Sequence, residues 1–186
     1  MRFSPSLALT GTQSFARAIE YLVGVIKDAV GTGKPPRIAL IGYSYGSSLA
    51  AQACSHPNVE SCVAISPPIG KLASFFLPSQ TYFKKLLEIK PNDARRRLVV
   101  IGSHDQYTTE ESLIDFVLLN SLKSGEAQLA VDQHEADDED ALVRRRLALK
   151  ENGETRLMVE VYARNCHFWG SDMAQMVERC LEFASR

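Results

Sequence analysis

Apolar runs of strand length alternate along this chain with stretches of helical periodicity. Residues 14–30 place Phe15, Ile19, Leu22, Val23, Ile26 and Val30 at spacings of three and four, which predicts an amphipathic helix. Gly31-Thr32-Gly33-Lys34-Pro35-Pro36 ends it, since glycine and tandem proline do not continue a helix. Arg37-Ile38-Ala39-Leu40-Ile41-Gly42 comes next, an almost unbroken apolar run of the kind found in strands covered on both faces. Residues 45–55 are small and apolar and predict a helix, closed by His56-Pro57-Asn58.

The same unit recurs. Ser61-Cys62-Val63-Ala64-Ile65 reads as a second buried strand, and Ser66-Pro67-Pro68-Ile69-Gly70 as its loop. Residues 81–89 predict a short helix with Tyr82, Leu86, Leu87 and Ile89 turned to the core. Arg95-Arg96-Arg97 reads as a solvated entry to a third strand, Leu98-Val99-Val100-Ile101-Gly102. A further helix is expected over 109–122, with Leu113, Phe116, Val117 and Leu119 inward. Residues 156–162 alternate partly and predict a fourth, less buried strand. A last helix at 171–184 has Ser171 as its N-cap and Met173, Met176, Val177, Cys180 and Leu181 inward. Alternating strands and helices specify an α/β fold: a mostly parallel sheet of about four strands with flanking helices and right-handed crossovers.

Residues 124–154 interrupt this alternation. Within Asp132-Gln133-His134-Glu135-Ala136-Asp137-Asp138-Glu139-Asp140, six of nine positions are acidic, and Arg144-Arg145-Arg146 follow. The pattern predicts a solvated, charged insertion with a short helix at 138–150.

Composition narrows function more than fold. The chain has 186 residues, with 21 Lys and Arg against 22 Asp and Glu and a formal net charge of −1. Those values exclude a disordered acidic tail and a polybasic nucleic-acid binder, and the length suits a single domain over 1–186. No apolar run approaches the roughly 18–20 residues of a membrane span. Met1-Arg2-Phe3-Ser4-Pro5 carries no apolar leader, and Cys54, Cys62, Cys166 and Cys180 show no paired spacing. Free thiols in a cytoplasmic setting are therefore expected, with no metal site. No cofactor is expected either. Gly42, Ser44 and Gly46 lack the third glycine of a dinucleotide loop, and no phosphate-loop lysine is present.

The sharpest chemical signal is Gly42-Tyr43-Ser44-Tyr45-Gly46, between the first strand and its helix. A strand-to-helix turn tight enough to raise a serine hydroxyl above a sheet crowds its flanks, so small residues are expected at Gly42 and Gly46. Ser44 then lies at a helix N-terminus, where the Tyr45 N–H is placed to stabilise an oxyanion. A nucleophilic serine needs a base, and the base a carboxylate to orient it. Asp105 follows the third strand and His167 the fourth, so both are expected at the sheet edge that carries Ser44. The bland alternative for Asp105 is a helix cap. His104 reads as a surface or supporting histidine, and His56 and His134 as exposed and inert. Phe168 and Trp169 read as packing on the histidine loop, and Cys166 has no second ligand pair.

Taken together, Leu40-Ile41-Gly42-Tyr43-Ser44-Tyr45-Gly46-Ser47, Ala64-Ile65-Ser66-Pro67-Pro68, Val99-Val100-Ile101-Gly102-Ser103-His104-Asp105-Gln106-Tyr107 and Cys166-His167-Phe168-Trp169 resemble the α/β-hydrolase superfamily. The likeness is to its small serine hydrolases of the dienelactone-hydrolase and carboxylesterase kind. It implies Ser44 as nucleophile, His167 as general base and acid, Asp105 as orienting carboxylate, and an ester or thioester of a small molecule as substrate. The family carries further strands ahead of the elbow, and a loop there gives the second oxyanion donor. The resemblance therefore implies an N-terminally truncated form of the fold. Residues 37–42 are then an open edge, suited to self-association or a partner. The competing expectation is an impaired or inactive half-domain, a truncated product or a partner-completed module. Leu72, Phe75, Phe76 and Leu77, in the loop 67–80, are candidates to wall an acyl site.

Overall fold

The computed structural model describes residues 5–31, 36–70, 77–123, 130–135 and 142–185. Helix α1 (Pro5–Val30) starts well ahead of residue 14, with proline in its first turn, where a missing N–H costs nothing. Then come β1 (Ile38–Tyr43), α2 (Tyr45–Ala53), β2 (Val59–Ile65), α3 (Ser79–Leu87), β3 (Arg96–Gly102) and α4 (Glu110–Lys123), in the expected alternation. The chain continues through β4 (Ala130–Glu135), β5 (Val143–Glu151), β6 (Glu154–Tyr162), a 3₁₀ turn at Gly170–Asp172 and α5 (Met173–Ser185).

One six-stranded sheet runs in the order β1-β2-β3-β6-β5-β4. Its first four strands are parallel, held in register by pairs such as Ile41 with Val63, Val63 with Leu98 and Leu98 with Met158. These are the four strands expected from the sequence, but β1, at the end of the sheet, is covered on one face only, with Ala39, Ile41 and Tyr43 exposed. β5 and β4 add to β6 antiparallel, so the sheet is mixed.

Here the charged insertion is corrected. Residues 143–151 are a strand, with no helix at the described residues of 138–150, and Leu147, Leu149 and Glu151 point alternately inward. The reason is local. Asn152 and Gly153, at φ 51° and 81°, form a two-residue turn whose left-handed backbone matches the twist of an antiparallel pair. The arginines serve that pairing. Arg145 bonds Glu110 and Gln133, while Arg146 and Arg179 share the fully buried Glu160 carboxylate.

Each face of the sheet carries a buried core. On one side Cys62, Ala64, Val99, Ile101, Leu147, Leu157, Val159 and Val161 pack with residues from the first four helices, among them Ile19, Ala51, Phe83 and Leu113. On the other, Val63, Ile65, Leu98, Val100 and Tyr162 pack with Met176, Cys180 and Phe183 of α5. The α5 register differs from expectation: Met173, Val177 and Leu181 are exposed, and Ser171 lies inside the 3₁₀ turn rather than capping the helix. Leu119 of α4, and Leu22 and Ile26 of α1, also face outward. Arg95-Arg96-Arg97 is no solvated entry. Arg97 is buried with its guanidinium on Asp93, Arg95 also pairs with Asp93, and Arg96 bonds the Phe183 carbonyl while lying over its ring. All four cysteines are free. Among the described residues no helix is long and apolar enough to cross a membrane.

If β5 is an integral strand, Leu147→Ala removes a fully covered side chain and costs about 2–5 kcal/mol of stability. Urea unfolding is expected to show a lower midpoint at unchanged m-value; an unshifted midpoint contradicts the inward position of Leu147.

Candidate active site

Ser44 is the single residue between β1 and α2, held at φ 52° and ψ −126°. Non-glycine residues rarely adopt that conformation, and two hydrogen bonds pin it: the Ser44 N–H donates to the Ile65 carbonyl at 2.9 Å, and the Ser47 N–H to the Ser44 carbonyl at 3.0 Å. Crowding is strong on one flank. A Cβ on Gly42 would stand 2.3 Å from the Gly46 carbonyl oxygen, so glycine is required there. A Cβ on Gly46 meets nothing within 4 Å, so the crowding expected on both flanks is present on one.

The loops after β3 and β6 bring Asp105 and His167 to this turn. His167 Nε2 lies 2.9 Å from Ser44 Oγ, and His167 Nδ1 lies 2.9 Å from Asp105 Oδ2. Asp105 and His167 are both buried, while the serine is half-buried. Asp105 does not cap α4, which starts at Glu110 with Thr109 Oγ1 accepting the Ser112 N–H. Its Oδ1 instead accepts the N–H groups of Tyr107 at 2.9 Å and Thr108 at 3.1 Å within the loop. The two carboxylate oxygens thus serve different partners, Oδ1 the loop backbone and Oδ2 the imidazole. Tyr45 opens α2, so its N–H is among the first-turn donors that the helix leaves without an internal acceptor.

Several supporting residues were not foreseen. The Tyr43 hydroxyl donates to the His167 carbonyl at 2.7 Å, and burial, then the Asp105 carboxylate, push this phenol above its ordinary value. The Gln106 side-chain carbonyl accepts the His167 N–H at 3.4 Å. Thr108 donates its hydroxyl to the Pro67 carbonyl and accepts from Ile69 N, which binds the loop after β2 to the loop after β3. The sequence signal for Tyr43 is its place beside the nucleophile. For the others no motif exists, because their partners are distant backbone groups.

Trp169 is wholly buried, donates Nε1–H to Ser66 Oγ at 2.8 Å and meets the Tyr162 ring edge-on. It anchors the histidine loop as expected, whereas Phe168 projects outward and is 62% exposed. His104 is exposed, His134 is exposed on β4, and His56 is half-buried with Nδ1 accepting the Asn58 N–H. Cys166 is exposed, and among the described residues no group of three or more His, Cys, Asp and Glu is arranged to hold a metal. Of the candidate acyl wall, Leu72, Phe75 and Phe76 lie outside the described residues, and Leu77 is half-buried. A cavity of about 550 Å³ lined by Arg37, Glu60, Lys90 and Arg95 lies at the opposite end of the parallel strands from Ser44.

The crowding at Gly42 makes a direct prediction. Gly42→Ala forces the turn apart and costs at least about 1–3 kcal/mol, whereas Gly46→Ala is neutral or gains up to about 1 kcal/mol as a helical residue. Thermal unfolding of the two variants measures the difference, and equal midpoints contradict the close approach.

No protein-family model matches the chain, and no curated protein matches it. Solved structures do. A truncated carbohydrate esterase from gut microbiota aligns with 94% of this chain and 68% of its own length, at 13% identity and a TM-score of 0.53. An esterase from Pyrococcus furiosus aligns with 94% of this chain at 16% identity and a TM-score of 0.49, and the chain spans 59% of its length. The esterase domain of a Rhodothermus marinus protein aligns with 83% of this chain at 13% identity and a TM-score of 0.45, and the chain spans 62% of it. At such identities the likeness is one of fold.

Proposed function

We propose that this chain, which has the α/β-hydrolase fold, is a serine hydrolase that cleaves carboxylic ester or thioester bonds through an acyl-enzyme. One observation carries the proposal: the relay from Ser44 Oγ through His167 Nε2 and Nδ1 to Asp105 Oδ2, with two contacts of 2.9 Å each. The carbohydrate esterase that shares the fold supports the same reaction class.

In the proposed reaction Ser44 Oγ attacks the carbonyl carbon while His167 Nε2 takes the hydroxyl proton. The carbonyl π pair moves to oxygen, and the Tyr45 N–H meets that oxyanion. Each such donor is worth about 10²–10³ in rate. When the carbonyl re-forms, the alcohol or thiol leaves with the proton from His167, and Ser44 is left acylated. Water then repeats the sequence and releases the acid. Throughout, Asp105 Oδ2 accepts Nδ1–H, which leaves Nε2 free to act as base and stabilises the imidazolium that forms.

A fluorophosphonate probe is expected to label the protein at Ser44, and Ser44→Ala to abolish labelling. Folded protein that does not react overturns the proposal. Asp105→Asn keeps the side-chain shape but disturbs the histidine tautomer, and is expected to lower kcat on 4-nitrophenyl acetate by about 10⁴. A loss of less than tenfold contradicts the role given to Asp105.

A further inference from the structure

Three aromatic rings surround the His167 imidazole. Tyr107 meets it edge-on at 4.6 Å between centroids, Phe168 edge-on at 5.4 Å and Tyr43 tilted at 5.5 Å. Between them they help leave the His167 side chain only 4% exposed, yet each of these residues is itself open to solvent: Tyr107 by 37%, Tyr43 by 40% and Phe168 by 62%. Covering a histidine does not require rings that remain this exposed. A cluster of exposed apolar surface at the mouth of a reacting site has the character of a binding surface.

The way Phe168 is held argues the same. Its neighbours His167 and Trp169 are both buried, and Trp169 sits at φ 59°, a left-handed conformation costly for a bulky residue. The Trp169 hydrogen bond to Ser66 and its contact with Tyr162 hold that turn, which leaves Phe168 outward on a fixed support. Tyr43 is also fixed, by its hydroxyl on the His167 carbonyl. A preorganised aromatic surface costs little to order when a ligand binds.

Position identifies what it takes. In the reaction of Ser44, the imidazole passes its proton to the departing oxygen, so groups ranged about His167 flank the alcohol side of the ester. We infer that Tyr43, Tyr107 and Phe168 form a subsite for a planar aromatic alcohol portion, making benzyl-type esters the preferred class. This rests on the proposed roles of Ser44 and His167. Aromatic groups stack offset or edge-on with such rings and gain more than their buried area alone gives.

The test compares benzyl acetate with ethyl acetate, whose leaving alcohols differ in the ring, alongside labelling by an ethyl fluorophosphonate. Wild-type kcat/KM is expected to favour the benzyl ester by at least about tenfold, a normal size for discrimination by an apolar pocket. Phe168→Ala is expected to reduce that ratio severalfold, chiefly through KM for the benzyl ester, and Phe168→Tyr to restore it. Ethyl fluorophosphonate labelling of each variant reports whether Ser44 and His167 remain in place, so a displaced histidine loop is separated from a lost subsite. A wild-type ratio near one, or a ratio unchanged in Phe168→Ala, with labelling intact, overturns the subsite and leaves the hydrolase proposal standing. Absence of labelling in the wild type overturns both.

Discussion

The Asp105 carboxylate is the group on which the rest of the site depends. Its side chain is fully buried, and a buried charge is tolerated only when its lone pairs are satisfied. Oδ1 is occupied by the Tyr107 and Thr108 N–H groups, which fold the loop after β3 into its turn. Oδ2 is thereby aimed at His167 Nδ1, on a loop 62 residues away in sequence. Bracing the loop backbone and orienting the histidine are therefore one arrangement. The backbone bonds fix the carboxylate plane, and the fixed plane fixes the imidazole.

Much of this was legible in the sequence. Three apolar runs and one partly alternating stretch located the parallel strands. β2 and β3 are buried on both faces and have few polar positions to disguise them, while β1 is apolar although one of its faces is exposed. The order Ser44, Asp105, His167 located the site, since each residue follows a strand and parallel strands end on one edge. The antiparallel hairpin was missed because Asp132, Glu135 and the three arginines outweigh the alternation of Leu147 and Leu149. Asn152-Gly153 was the available signal. The arginines at 95–97 were misread for a related reason. Charge in a sequence suggests solvent, but Asp93 lies close enough in the chain to neutralise Arg97 in the interior. The α5 register was misread because Met173, Val177 and Leu181 form an apolar stripe of their own, beside the stripe of Met176, Cys180 and Phe183 that reaches the sheet.

Strain is concentrated where the chemistry is proposed. Ser44, Ser66, Arg164 and Trp169 have φ values of 52°, 46°, 59° and 59°, and all lie in loops at the C-terminal edge of the parallel strands. Each costs on the order of 1–3 kcal/mol and persists only if its surroundings over-determine it. Here the strained residues brace each other, since Trp169 Nε1 donates to the hydroxyl of Ser66. Strain in the histidine loop is thus countered by the loop after β2, which also receives Thr108 from the loop after β3.

A staircase of backbone bonds explains how residues 123 positions apart arrive within hydrogen-bonding distance. The N–H just past β1, of Ser44, reaches the Ile65 carbonyl at the end of β2. The N–H just past β2, of Ser66, reaches Val100 in β3, and the N–H just past β3, of Ser103, reaches Tyr162 at the end of β6. Each loop therefore departs from a point set by the next strand in the sheet. The register of four parallel strands is passed step by step from the serine turn to the histidine loop. A slip at any step moves Ser44 relative to His167 by a residue spacing of roughly 3.3 Å, more than the whole 2.9 Å contact. The buried runs of Val63, Ala64, Val99 and Val159 that specify this register thus serve the site as directly as the three side chains that meet there.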